Sequence, residues 1–368
     1  MIDPRLSKLA QVIVHYSLGV KKDERVVINS PVVAAPLVRE IYREIIQAGA
    51  LPMIIAEIEG LEEIFYQEAQ GFQLDDVEPI QEFMLDEISG CVNILASYNT
   101  RHLSGVPSER IARRRKANAK IASKFRQKIA KGEIRGNIAP FPTQAMAQEA
   151  SMGLFDFSEF VFSSLFLNET HPISEWQRID KEQTAICEYL SEKSELRFIG
   201  DKTDLTLSVK GRKWINCSGK YNLPDGEVFT APVEDSVNGT IRFTLPGIYA
   251  GKEIEDIQLK FKNGELVEAK ASKGNDLLNK LIEVPGANIL GEVAIGTNFG
   301  IDRFIKNMLF DEKMGGYIHM ALGAAFLETG GTNESGVHWD MLKDMREPNS
   351  YIEADGEKFY EEGKFIIL

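Results

Sequence analysis

The residues best suited to chemistry fall between Leu309 and Met341, in the stretch LFDEKMGGYIHMALGAAFLETGGTNESGVHWDM. It holds two of the chain's five histidines and more Gly, Asn and Ser than a packed core needs. His338 and Asp340 flank Trp339, and on an extended strand residues two apart point to the same face, so imidazole and carboxylate would converge. His319 lies upstream, just before the small-residue run Ala321-Leu322-Gly323-Ala324-Ala325. Two imidazoles with one or more carboxylates suit a divalent transition metal.

Three other pieces add acids. Pro224-Asp225-Gly226-Glu227-Val228 reads as a turn leading into a strand that presents Glu227 at its edge. Gly291-Glu292-Val293-Ala294-Ile295-Gly296 puts a carboxylate at the start of an apolar strand, where a core position would be aliphatic. Asp311-Glu312-Lys313 opens the final stretch. Taken singly, each acid reads as a surface carboxylate.

The elements that must position these groups form two expected domains, an α/β domain over 1–190 with a parallel sheet and an α+β, strand-rich domain over 191–368. Leu6 to Leu18 has helical periodicity and carries His15, read as structural. Val26-Val27-Ile28, a helix from Ala34 to Ala48 and a strand from Leu51 to Ile58 make a βαβ unit. Its first turn lacks a glycine fingerprint, which argues against a dinucleotide or P-loop site. Leu61 to Met84 reads as mainly helical, and Cys91 to Ala96 as a buried strand. The loop after that strand carries Arg101 and His102, weak candidates for substrate contact beside the plainer reading of a polar surface loop.

Ten Lys or Arg residues between Arg110 and Lys131 suggest a helix with a solvated basic face, more than a nucleic-acid site. Pro142-Thr143 looks like a helix entry, and Ser174 to Ser194 like a longer helix. From about Glu195 short strands dominate, over 196–199, 205–209, 212–215, 239–244, 257–262 and 266–270. Asn263-Gly264 between the last two is a hairpin signal.

Composition is ordinary for a globular chain, with 43% hydrophobic and 26% charged residues, and a net charge of -13 speaks against coating nucleic acid. The three cysteines show no metal-finger or CxxC spacing, which fits a reduced compartment. The opening segment has no long apolar run after its basic residues and nowhere is there a membrane-spanning length, so a cytoplasmic location without membrane contact is expected.

Four motifs carry a resemblance: NLPDGEVFTAPVEDSVNG from Asn222 to Gly239, LGEVAIGTN from Leu290 to Asn298, FDEKMGGYIHMALG from Phe310 to Gly323, and ETGGTNESGVHWDM from Glu328 to Met341. In order and spacing they resemble the metal-dependent aminopeptidases of the aminopeptidase T and S type. A PxRI-like segment near Pro107 to Ile111 is consistent with it. The resemblance implies that Glu227, Glu292, His319, His338 and Asp340 are metal ligands, with Glu312 a sixth, and that Glu292 is also catalytic. It further implies two divalent ions of zinc, cobalt or manganese, hydrolysis of the N-terminal residue of peptide substrates by an activated water, and a homodimer. Six ligands, four of them carboxylates, are too many for one tetrahedral zinc and enough for two ions with Glu292 as a bridge.

One position departs from the family, which usually has a tyrosine seven residues after the histidine of the HxALG motif. Counting from His319 gives Phe326, which can donate no hydrogen bond, and Tyr317 is a substitute only if its segment is a strand that turns it toward His319. A non-haem iron ring-cleaving dioxygenase, with His319, His338 and Asp340 as a triad, is the alternative enzyme class, although Glu227 and Glu292 would then be surplus. Phe326 also motivates a third reading, a metal-binding homologue with little peptidase activity.

Overall fold

The computed structural model describes residues 3–249 and 251–367. The chain forms two compact units, Met1–Ile173 with Gly219–Leu223, and Ser174–Ser218 with Pro224–Leu368. The helix Pro172–Ser191, which runs up to the expected boundary at 190, thus lies almost wholly in the second unit.

The first unit is an α/β layer. Strands β1 (Arg25–Pro31), β2 (Leu51–Glu57), β3 (Gly90–Leu95) and β4 (Arg135–Pro140) form a parallel sheet in the order β2-β1-β3-β4. The helix Ala35–Gln47 makes the crossover from β1 to β2, as the apolar periodicity predicts. Segment Gly219–Leu223 joins this unit because it pairs beside β4: Ile138 N–H donates to Tyr221 O at 2.9 Å and Leu223 N–H to Ile138 O at 2.8 Å.

The expected helix over 61–84 is three short ones, Leu61–Glu68, Gly71–Asp75 and Pro79–Glu87. The basic helix, Ser108–Ala130, binds them through its charge. Arg113 pairs with Asp75, Lys124 and Lys128 with Asp86, and Arg110 donates to the carbonyls of Tyr66 and Ala69. Much of the basic run therefore serves this unit's own acids and carbonyls. His15 pairs with Glu44 at 2.9 Å, Arg101 with Glu149, and His102 with Glu62.

The second unit stacks strands instead of alternating them with helices. Its first sheet is assembled from β5 (Glu195–Gly200), β6 (Thr203–Ser208), β9 (Asn238–Phe243), β12 (Ile257–Lys262), β13 (Glu265–Lys270), β17 (Tyr351–Ala354), β18 (Glu357–Glu361) and β19 (Lys364–Phe365). Its strand order is β13-β12-β9-β6-β5-β17-β18-β19. The hairpin between β12 and β13 turns on Asn263 and Gly264, both at positive φ, as an Asn-Gly turn should. Gly247–Tyr249 (β10) and Lys252–Ile254 (β11) make a small ribbon.

The other sheet contains β7 (Ile215–Cys217), β8 (Glu227–Thr230), β14 (Leu290–Gly296), β15 (Tyr317–Gly323) and β16 (His338–Asp344) in the antiparallel order β16-β15-β14-β8-β7. The strand expected over 212–215 is thus shifted to 215–217. Side chains alternate across this sheet. Val228, Val293, Ile295, Ile318, Met320, Leu322, Trp339 and Met341 share one apolar cluster with Phe198, Leu205, Ile241 and Phe261 of the larger sheet. That burial anchors the sheet and leaves its opposite face for polar residues.

Candidate metal centre

Cross-strand register decides what that opposite face carries. Glu292 stands opposite Ala321, which stands opposite Asp340. His319 faces Ala294, and Ala294 faces Phe229, while Gly296 faces Glu227 and Gly323 faces His338. Directly opposed residues share a face, so Glu227, Glu292, His319, His338 and Asp340 all project from one side of four neighbouring strands. Ala294, Gly296, Ala321 and Gly323 lie among them on that side, and their small size leaves room between the polar groups. The pairing shifts between Leu290 and Glu292, a bulge of the kind common beside active sites. Gly291 sits in it, where an added Cβ would strike the carbonyl oxygens of Gly323 and Ala324.

The polar atoms meet closely. His319 Nε2 lies 3.3 Å from Glu227 Oε2 and 3.4 Å from Glu292 Oε1. His338 Nε2 lies 3.1 Å from Glu292 Oε2 and 3.5 Å from Asp340 Oδ1. Glu292 thus touches both imidazoles, one with each oxygen. Glu312, just after the short helix Met308–Asp311, brings a carboxylate oxygen within 4.8 Å of donor atoms of His319 and Asp340. All six residues singled out in the sequence therefore stand in one cluster, which contains the overlapping triads Glu227-Glu292-His319, Glu292-His338-Asp340 and Glu312-His319-Asp340.

Burial and mutual charge set the protonation of the metal-free cluster. Burial alone would lower both histidines, but hydrogen bonding to Glu292 and the charges of Glu227 and Asp340 raise His319 to about 9. Asp340 and Glu292 likewise raise the less buried His338 to about 11. Burial works to raise Glu292, yet its bonds to the two imidazoles hold it well below the usual carboxylate range. Burial pushes Glu227 up, against the pull of Lys313 and His319.

The residues present fit a metal. Glu227 Oε2 and Asp340 Oδ1 are buried and make no hydrogen bond of good geometry, which is costly unless another partner binds there. The second nitrogen of His338 is oriented in the way metal-binding imidazoles are, with Nδ1 2.8 Å from the carbonyl oxygen of Ala324, so Nδ1–H donates and Nε2 is left for the cluster. Carboxylate and imidazole donors together suit a divalent metal ion.

Residues 2–365 match the family described as thermophilic metalloprotease (M29). The chain belongs to this family. It is 28% identical to aminopeptidase AmpS of Bacillus subtilis, with 96% of each chain covered. It is also 26% identical to aminopeptidase T of Thermus thermophilus, over 97% of this chain and 95% of that one. Among solved structures, wild-type AmpT from Thermus thermophilus superposes with a TM-score of 0.84 at 27% identity, covering 98% of this chain and 99% of that one.

Several contributors were not singled out from the sequence. Gln183, on the helix Pro172–Ser191, donates to the carbonyls of Cys217 and Glu227 at 2.9 and 2.8 Å and so fixes the start of β8. Lys313 is fully buried against Glu227 and Glu312. A lysine next to an acid in sequence ordinarily reads as a surface pair, so no local signal marks it. Tyr317 does lie on a strand with His319, but its hydroxyl is taken up by Arg346. Phe326 packs edge-on to His338, with ring centres 5.1 Å apart, and against Phe229 at 5.2 Å, which puts it beside the cluster.

Proposed function

We propose that this member of the metalloprotease family is a metal-dependent aminopeptidase that removes the N-terminal residue of peptides at the cluster on β8, β14, β15 and β16. The observation that carries the reading is the convergence of Glu227, Glu292, His319, His338, Asp340 and Glu312 on one sheet face. These six residues would hold the metal. The triads that share Glu292 support two ions per chain, which we take to be zinc, cobalt or manganese. When bound, divalent metal supplies a Lewis acid for the scissile carbonyl and lowers the pKa of an attacking water.

The protein's own groups do the rest. Glu292 is ionised at neutral pH in the metal-free protein, and we assign to it the proton-accepting role beside the bound metal. In the metal-free protein His319 and His338 keep that carboxylate in place from either side. Asp340 and Glu312, with side chains 12% and 20% exposed, can pair with the α-ammonium of a peptide and confine cleavage to its first bond. A ring-cleaving dioxygenase is not favoured, because the family is a protease family and Glu227 and Glu292 sit inside the cluster.

A cytoplasmic homodimer completes the reading. Free Cys91, Cys187 and Cys217 support a reduced compartment, and no described helix is long and apolar enough to cross a membrane. Edge strand β2 exposes Leu51, Met53, Ile54 and Ile55, an apolar border that supports burial by a second copy.

Chelator-treated protein should regain hydrolysis of a leucyl chromogenic amide on addition of zinc, cobalt or manganese, and should leave the N-acetylated amide intact. Fully metallated protein that released nothing from a panel of aminoacyl substrates would end the peptidase reading.

A further inference from the structure

We infer that Lys313 divides the centre into two unequal metal subsites and makes the one built on Glu227 the weaker. The inference rests on the metal-site reading above and concerns a residue that reading does not use. The Lys313 side chain is 2% exposed, and its Nζ contacts Glu227 Oε1, lies 2.6 Å from Glu312 Oε1 and 3.9 Å from Asp225 Oδ1. A buried ammonium thus already offsets part of the negative charge in the corner of the cluster formed by these three carboxylates. Asp225 and Glu227 also lie close to Cys217, so an ion entering that corner would otherwise find a rich donor set.

Two consequences follow from the geometry. Lys313 occupies one oxygen of Glu227, leaving Oε2, the one turned to His319 at 3.3 Å, to serve the triad Glu227-Glu292-His319. An ion in that triad would also share Glu227 with a fixed positive charge, and like charges in a poorly solvated site repel strongly. The triad Glu292-His338-Asp340 differs. Among the described residues, the ion pairs of Glu292 and Asp340 are with His319 and His338 alone, so no lysine or arginine is paired with that triad. Lys313 is therefore a positioning residue that ranks the two subsites. It holds Glu227 and Glu312 in place when the weaker one is empty.

The test is a metal titration of the full chain, with Co2+ followed by calorimetry and by its visible absorption, on wild type and on Lys313→Met, which keeps the length of the side chain and removes its charge. Wild type should bind two ions with dissociation constants at least tenfold apart. Lys313→Met should bind the weaker ion on the order of tenfold more tightly, with the tighter constant unchanged. Lys313→Gln serves if the Met variant folds poorly, and the wild-type titration needs neither. Two equal constants in wild type, a single ion, or a weaker constant that does not move in a folded variant overturns the inference and leaves the metal site standing. Wild type that retains no ion overturns the metal-site reading and this inference together.

Discussion

Replacing Glu292 by Gln removes one charge and almost no volume from the centre of the cluster. Glu292 is 4% exposed and its two oxygens lie 3.4 and 3.1 Å from His319 and His338, so the change breaks two buried ion pairs that share one carboxylate. Breaking one such pair costs about 3–5 kcal/mol. Two pairs with a common member do not sum, and the imidazoles can shed their protons, so about 3–5 kcal/mol is the ceiling for the metal-free fold. The apolar face of β14, Val293 and Ile295 in the shared core, is untouched, and the fold should survive. Losing a shared ligand that is also the proton acceptor should lower turnover by about 10²–10⁴-fold. The variant would be dialysed against metal-free buffer and its metal content measured by mass spectrometry. Leucyl amide hydrolysis and circular dichroism would be followed on the same sample. Metal content and turnover equal to wild type would remove Glu292 from the centre and with it the argument from register.

Two further outcomes follow from the same geometry. Phe326→Tyr should raise turnover, by up to about a hundredfold if the new hydroxyl donates to the reacting oxygen, with metal content unchanged; equal turnover in steady-state kinetics would show that position 326 has no such role. Metal binding should release protons, at least two per chain near pH 7, because His319 and His338 are raised from 6.5 to about 9 and about 11 in the metal-free protein and burial pushes Glu227 up as well. A raised pKa means that these imidazolium pairs stabilise the metal-free fold fully below pH 6.5 and that the contribution disappears as pH climbs through the raised values. Apparent metal affinity should therefore rise from pH 6.5 toward 9. Calorimetry in buffers of different ionisation enthalpy measures the release, and a value of zero would contradict the assignment.

Much of this site is legible in the sequence because strand parity is local. His338 and Asp340 are two apart, and so are the small Ala321 and Gly323, so each pair shares a face of its strand whatever the rest of the chain does. Glu292 stands at the head of an apolar run, where a core position would be aliphatic, but taken singly it still reads as a surface carboxylate. The Asn263-Gly264 hairpin and the βαβ unit of residues 25–57 are likewise set by short-range preferences.

Other features could be decided only by tertiary structure. Both faces of β14 and β15 are buried, so their sequences show no simple alternation of apolar and polar residues to say which side faces the core. The helix Pro172–Ser191 reads in sequence as part of the first domain, yet Gln183 on it secures the carbonyl of Glu227. Tyr317 shares a strand with His319, but Arg346, beyond the end of the neighbouring strand, captures its hydroxyl. Composition and motif order determined which side chains this protein has for metal chemistry. Only cross-strand register, a product of packing between residues far apart in the chain, put Glu227, Glu292, His319 and Asp340 on the same face and drew Lys313 in beside them.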